Sequence, residues 1–335
     1  MPSKKSARAG RVIVVGSSNT DLVVHCAKLP RAGETVLGRD LLTFAGGKGA
    51  NQAVAAARAG ARVHFIGAFG DDAFGRARRA DLEREGIDCS GCVIKKGVAS
   101  GVALIGIGRG ESGAKAENLI LVAAGANARL TPVDVKRGMP KGLNERDVIL
   151  CSLEVPLPAV EAAVDAGGVL GSHSPRKILN PAPFPPEGLP DSLFIFCDIA
   201  TPNETEFQQM AGVDIARVRA AKFGKYGKLE GFEILVTRGA KGVSIPMRDF
   251  EPDGITFGPL RRYDFPAPKV KAVDTVGAGD CFNGCLAAHL SMNDADFGDS
   301  IRFAVTAAAL KVTRQGAQDG MPRRAEILKL LARSR

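Results

Sequence analysis

Short apolar runs alternate with helix-like stretches along most of this 335-residue chain, and that alternation restricts the fold more than any other feature. Nearest the start, Val12–Val15 and Val63–Gly67 read as strands, and Gly49–Ala59 and Phe74–Glu85 as helices. From Asp147 the pattern is regular. Val148–Cys151 reads as a strand, Ala159–Ala166 as a helix, Lys177–Leu179 and Phe194–Cys197 as strands, and Asn203–Met210 as a helix. Ile234–Thr237 and Val243–Ile245 continue as strands, ahead of helices at Gly277–Leu290, Ser300–Lys311 and Arg324–Ala332. Apolar strands spaced by helices have to be covered on both faces. The expected class is α/β, a Rossmann-like, mostly parallel sheet with helices on both sides.

Some strand-like segments do not fit that sheet. Val23-Val24, Thr35–Phe44, Val102–Ile107 and Asn118–Val122 are short and separated by glycine-containing turns. They are assigned to a small β-sheet lid, drawn from about residues 20–45 and 98–122, within one domain over 11–335. Residues 1–10 read as a disordered basic tail, and Gly167–Arg176, Lys222–Leu229 and Arg248–Arg262 as surface insertions.

Net charge of +9 raises the question of an anionic partner. Residues 1–11 contribute +4 and residues 323–335 another +4, so the stretch between them is nearly neutral. No aromatic stacking motif accompanies the charge, and neither nucleic acid nor a membrane is expected as a partner. The longest apolar runs, such as Phe303–Leu310, fall far short of a membrane span. Seven scattered cysteines make no disulfide framework, and Cys89-Ser-Gly-Cys92 lacks the further ligands zinc needs. The start lacks an apolar signal core and the chain does not end in Ser-Lys-Leu, so a cytoplasmic location is expected.

Glycine-rich loops narrow the chemistry. Gly106-Ile-Gly-Arg-Gly110 is followed by Glu111 where a dinucleotide fingerprint needs glycine. Gly47-Lys48-Gly49 lacks the hydroxyl residue of a Walker A loop. Phe44-Ala-Gly-Gly-Lys-Gly-Ala-Asn51 instead places a diglycine, a lysine and an amide at a helix entry, suited to close contact with a polyhydroxylated ligand or simply to helix entry. Asp274-Thr-Val-Gly-Ala-Gly-Asp280 precedes an apolar helix. The amides of Gly277, Ala278 and Gly279 can form an anion hole at the helix start, with Asp280 either a general base or a solvated N-cap. Asn203 and Glu206, three apart, suit one ligand-facing turn or a capping box. Thr237-Arg-Gly-Ala-Lys-Gly242 offers glycines to a nucleotide.

Together with Gly16-Ser-Ser-Asn-Thr-Asp21, Ala124-Gly-Ala-Asn127, Asn180-Pro-Ala-Pro183 and Val312–Gln318, these segments resemble the ribokinase-like (PfkB) carbohydrate kinase family from about Val12 to Ile327. That resemblance implies ATP-dependent phosphorylation of the 5-hydroxyl of D-ribose, or, as an alternative, of another small sugar or nucleoside such as fructose, deoxyribose or adenosine. It implies sugar contacts from Asn19, Asp21, Gly47, Lys48, Asn51 and Glu154, with Asp280 as base and Gly277–Gly279 as anion hole. ATP contacts are expected from Asn203, Thr237, Arg238, Gly239, Ala240, Lys241, Gly242, Gly279 and Val305. Mg²⁺ is expected on the ATP phosphates near Asn203 and Glu206. An activating K⁺ is expected beside Asp274, Val276, Lys311, Arg314, Gly316 and Gly320, largely through carbonyls, although Gly320 stands where a serine hydroxyl is common. A homodimer through the lid is also implied.

Overall fold

Strand β1 (Arg11–Val15) is interior from Val12 on: Val12 and Val14 enter one buried cluster, while Ile13 and Val15 enter another on the opposite face. That period-2 split is what a strand between two helical layers requires. The computed structural model describes residues 9–109, 116–166, 168, 174–216, 232–250, 257–292 and 296–333. After β1 come β2 (Asn19–Lys28), β3 (Gly38–Gly46), α1 (Lys48–Arg58), β4 (Arg62–Ile66), β5 (Ala68–Gly70) and α2 (Ala73–Arg84). Then follow β6 (Val93–Lys95), β7 (Gly101–Arg109), β8 (Ala116–Ala123), α3 (Pro132–Gly138), β9 (Val148–Ser152) and α4 (Leu157–Ala166). The second half adds β10 (Arg176–Asn180), α5 (Asp191–Phe196), β11 (Ile199–Ala200), α6 (Glu204–Ala211), β12 (Glu233–Ile234) and β13 (Val236–Thr237). It closes with β14 (Val243–Phe250), β15 (Phe257–Phe265), α7 (Ala278–Leu290), α8 (Phe297–Lys311) and α9 (Arg324–Arg333).

Six strands form the main sheet in the order β12-β11-β10-β9-β1-β4, with every neighbouring pair parallel. Helices α1, α7 and α8 bury small side chains, including Ala53, Ala56, Ala287 and Ala304, against one face, and α4 buries Val160 and Ala163 against the other. The α/β class with helices on both faces is as the sequence predicts. A separate four-stranded sheet, β3-β2-β7-β8, is antiparallel except for the parallel β2–β7 pair. It exposes Leu41, Leu104 and Leu121.

Three expectations need correction. Phe194–Cys197 is not a strand: α5 occupies this region and the strand lies at Ile199–Ala200. A short apolar run satisfies either geometry, and Leu193 and Cys197, four apart, both pack into one core cluster as a helix places them. Ile234–Thr237 is not one strand either. It divides at Leu235 into β12, which closes the main sheet, and β13, which starts the three-stranded sheet β13-β14-β15. Finally, Arg248–Arg262 is not wholly an insertion, because β14 and β15 run through its two ends as antiparallel arms. Residues 1–8 and 222–229, and most of 167–176, lie outside the described residues.

Candidate active site

Strand order reverses between β1 and β9: from β1 the chain adds β4 on one side and β9 on the other. In open parallel sheets the crevice beyond the carboxyl ends of such a pair is where ligands collect. Here Ser17, just past β1, donates from Oγ to Glu154 Oε2 at 2.6 Å, just past β9. Glu154 Oε2 also accepts from the Lys48 backbone N–H at 3.0 Å, so one carboxylate joins both strand ends to the start of α1. Gly47 allows that approach. Its φ is +88°, and a Cβ there would lie 2.7 Å from the Asn19 nitrogen.

Asn19 and Asp21 lie at the start of β2, alongside this entry. Asn19 is buried, and its Oδ1 accepts from Asn127 Nδ2 at 2.7 Å, while Asn127 Oδ1 accepts from the Ser18 N–H at 3.0 Å. Asp21 is pushed up to about 6 by burial and by the neighbouring charge of Glu154, with Arg78 opposing.

One turn into α1, two amides reach across to α7. Asn51 Nδ2 donates to Asp280 Oδ2 at 2.9 Å and Gln52 Nε2 to Asp280 Oδ1 at 3.2 Å. Gln52 Nε2 also lies 3.1 Å from Asn180 Oδ1, and Asn51 Oδ1 accepts from Gln318 Nε2 at 3.1 Å. Asp280 is only 7% exposed and stands third in α7, whose N-cap is Gly277 in the left-handed conformation, so it is neither solvated nor an N-cap. Burial raises the Asp280 carboxyl above its ordinary value, against the pull of Lys48 and of the Asn51 and Gln52 amides. Burial works against the Lys48 ammonium, but Asp280, Glu154 and Glu206 together carry it above its ordinary value. A buried carboxylate with raised proton affinity beside a cation is what proton abstraction near neutral pH needs.

At the start of α7 the amide of Ala278 donates to Thr275 O at 3.2 Å. That bond engages one of the three expected anion-hole donors in a turn and leaves Gly277 and Gly279 outside it. All three residues line a cavity of about 620 Å³ that extends from Lys48 and Asp280 past Asn203 and Glu206 to Val305. Thr237, Gly239, Ala240 and Gly242 border it, but Arg238 and Lys241 do not. The Arg238 side chain turns back to Glu204 Oε1 at 3.1 Å and Ser244 Oγ at 3.0 Å, and Lys241 faces the same Glu204 at 4.0 Å. Asn203 and Glu206 form both bonds of a capping box, at 2.8 Å each, and still face the cavity. Burial raises the Glu206 carboxyl, with the Asn203 amide and Lys48 opposing. Its Oε2 serves the cap, which leaves Oε1 outside that bond, a hard oxygen suited to a water-held Mg²⁺.

A family model described as pfkB family carbohydrate kinase matches residues 9–324. The chain belongs to this family. It is 35% identical over 320 residues to the ribokinase of Haemophilus influenzae, covering 95% of this chain and 97% of that protein. It is 36% identical over 315 residues to the deoxyribokinase of Salmonella typhimurium, covering 93% and 95%. Among solved structures, Arabidopsis thaliana ribokinase complexed with ribose and ATP superposes with a TM-score of 0.76 at 27% identity, over 97% of this chain and 99% of that one. The pfkB kinases are carbohydrate kinases, and this chain is a ribokinase-like sugar kinase.

Within this kinase, the residues that hold the site in shape lie in segments that carry the family resemblance, but sequence reasoning assigned them no role. Gln52 holds Asp280, Asn127 holds Asn19 and Gln318 holds Asn51, while Asn180 holds Gln52 in its turn. A polar residue inside an alanine-rich run, as Gln52 is, was the available signal, because a buried amide needs partners. Around the positions expected to hold a monovalent cation, the Asp274 carboxylate accepts from the Val276 and Gly316 N–H groups and Gly320 lies against Gly316 and Lys311, and two side chains differ from the expectation. Lys311 is 0% exposed, and its Nζ donates to Asp274 O at 3.0 Å. Arg314 does not turn inward; its guanidinium pairs with Glu326 at 2.5 Å. Among the described residues, no helix is long and apolar enough to cross a membrane.

Proposed function

We propose that this kinase transfers the γ-phosphoryl group of ATP to the 5-hydroxyl of D-ribose, giving ribose 5-phosphate and ADP. The observation that carries the reading is the position of Asp280: a buried carboxylate at the helix start, held by Asn51 and Gln52 where the diglycine entry meets the long cavity. Asp280 takes the proton from the 5-hydroxyl, the oxygen forms its bond to the γ-phosphorus, and the bond from that phosphorus to the ADP oxygen breaks. Gly277 and Gly279 amides stabilise the charge that develops, where one lost donor costs about 2.7–4 kcal/mol in comparable sites. Ala278 joins them if its turn to Thr275 opens. Asn19, Asp21, Gly47, Lys48, Asn51 and Glu154 hold the sugar hydroxyls, since carboxylates and amides can each bridge neighbouring hydroxyls. Thr237, Gly239, Ala240, Gly242 and Val305 border the nucleotide, and Mg²⁺ bound with the phosphates supplies charge neutralisation near Asn203 and Glu206.

The similar deoxyribokinase favours a second reading, in which the acceptor lacks the 2-hydroxyl. ADP release over a panel of ribose, deoxyribose, fructose and adenosine separates the two; equal or better turnover of another acceptor overturns the assignment to ribose. The exposed apolar residues of the four-stranded sheet, including Leu41, Leu104, Leu119 and Leu121, support a homodimer closed through that lid. Seven free cysteines suit a reducing compartment such as the cytoplasm.

A further inference from the structure

The loop that leads into α7 is tied to the loop after α8 through one carboxylate. Asp274 Oδ1 accepts from the Val276 N–H at 2.9 Å, and Asp274 Oδ2 accepts from the Gly316 N–H at 2.8 Å. Such a carboxylate, drawn inward beside an anion-binding helix start, needs a nearby positive charge. In the cation arrangement implied by the family, a monovalent ion among carbonyls would supply that charge.

Here a side chain is already in that place. The Lys311 Nζ lies 3.0 Å from Asp274 O and 3.8 Å from Asp274 Oδ2, and the residue is 0% exposed. Its carbonyl, one of the expected ion ligands, accepts from the Arg314 N–H at 3.0 Å. Gly320 completes the arrangement. A Cβ at that position would stand 3.2 Å from Lys311 Cε and 2.7 Å from Gly316 O. A serine there would press on both the lysine stem and the loop, so the missing side chain and the long one are matched. The donor set therefore does not fit a free cation: an ammonium group already faces the carboxylate and its carbonyl, and one expected hydroxyl ligand is absent.

We infer that the Lys311 ammonium, accommodated by Gly320, is the built-in counter-charge of the Asp274 loop, and that this kinase works without K⁺. Lys311 is then a positioning residue, acting on the helix start through Asp274 rather than on substrate. The inference rests on the kinase reading above, but its test does not depend on which sugar is used.

The experiment measures two quantities for the full chain in KCl and in tetramethylammonium chloride at equal ionic strength. One is Mg-ATP-dependent ADP release with the best sugar acceptor, and the other is the melting temperature without any substrate. The wild-type protein is expected to differ by less than about threefold in rate and to melt at the same temperature in both salts, because binding to the folded state alone would raise the melting point. A wild-type rate raised threefold or more by K⁺, or a melting point raised by K⁺, overturns the inference. Lys311→Ala is expected to lose roughly tenfold or more in tetramethylammonium and to recover in K⁺ or ammonium, with K⁺ raising its melting point. Full Lys311→Ala activity in tetramethylammonium also overturns it. If that variant does not fold, Lys311→Met keeps the buried stem but removes the charge, and is expected to lose roughly tenfold or more in tetramethylammonium with no gain from K⁺, because the stem still fills the place; full Lys311→Met activity in tetramethylammonium overturns the inference. Absence of turnover in every salt with every acceptor would instead defeat the kinase reading, while the substrate-free melting comparison would still judge the counter-charge.

Discussion

Asp21, Lys48, Glu154 and Asp280 lie within one another's electric fields where the sheet's switch point meets the cavity, which Lys48 and Asp280 line, whereas the far end of that cavity is bordered by Gly239, Ala240, Val243, Val305 and Ala308. The first end is assembled from buried or half-buried charged and amide side chains whose hydrogen bonds are already made in the free protein. The second offers backbone, apolar wall and open volume. The contrast teaches where specificity and catalysis are written. On the proposed reading, hydroxyls would be sorted by a few directed polar groups, each costly to lose, while a flat base and its ribose would be held by shape and by main-chain groups that substitution touches little.

The largest expected effect comes from the group at which the two ends meet. Asp280→Asn keeps an oxygen and the shape of the side chain but removes the proton acceptor, so kcat should fall by about 10²–10⁴. Sugar binding, followed by calorimetry, should persist. A non-catalytic sugar-binding regulator would show no turnover even in the wild-type protein, and retained turnover in the variant would remove Asp280 from the role of base.

Next is a test of the polar end by itself. Asp21→Ala removes a carboxylate that faces the sugar entry, and hydrogen bonds to charged groups contribute about 1.5–3 kcal/mol, so KM for the sugar should rise about 10–100-fold. KM for ATP should stay within about twofold, since no nucleotide-end wall moves. An equal rise in both would mean that the two ends are not separable.

How far the sequence alone reaches follows the same division. The parallel sheet was legible because apolar strands such as Val12–Val15 have one physical solution once helices flank them. The helix start after Asp274 was legible from its small residues, but the same pattern allowed Asp280 to be a solvated N-cap, and only the fold shows it buried and held by Asn51 and Gln52. The second layer was not legible. Asn127 and Gln318 touch Asn19 and Asn51 from more than a hundred residues away, and no local pattern marks a contact between segments so distant. Arg238 misled for the complementary reason. It sits in the glycine turn that borders the cavity, but a charged side chain goes to its strongest partner, here Glu204, which is not among the residues that line the cavity. Lys311 was read through its carbonyl, and only the folded chain shows its ammonium beside Asp274.

The apolar end should answer more weakly and to size alone. Val305→Phe adds volume to the wall of the nucleotide cavity, and overfilling typically costs about 1–3 kcal/mol, so KM for ATP should rise roughly 5–100-fold in proportion to how far α8 can give way. KM for the sugar should not change. If it rises as well, the cavity is transmitting strain from one end to the other, and the contrast drawn above is too sharp.

The last test separates the ends by pH. Asp21 titrates at about 6 in the folded protein, against an ordinary value of 3.8, because burial and Glu154 disfavour its charge. The folded state therefore holds this proton more tightly than the unfolded chain does. Below the ordinary value both states are protonated, and the contribution to stability is fully present. As pH rises from there through about 6 the unfolded chain ionises first, and stability is lost, at most about 3 kcal/mol at roughly 1.4 kcal/mol per unit. Asp21→Asn abolishes that loss. In denaturant titrations of the substrate-free protein, the variant should gain on the wild type between pH 4 and pH 7.5, whereas Val305→Phe should shift stability by the same amount at both values. Asp280 and Glu206 are also raised by burial and add slopes of the same sign in both proteins; Asp280 feels the charge of Asp21, so its slope lessens in the variant, which adds to the gain rather than opposing it. An Asp21→Asn difference that does not change with pH would mean that the charge strain of the polar end is carried elsewhere than at Asp21.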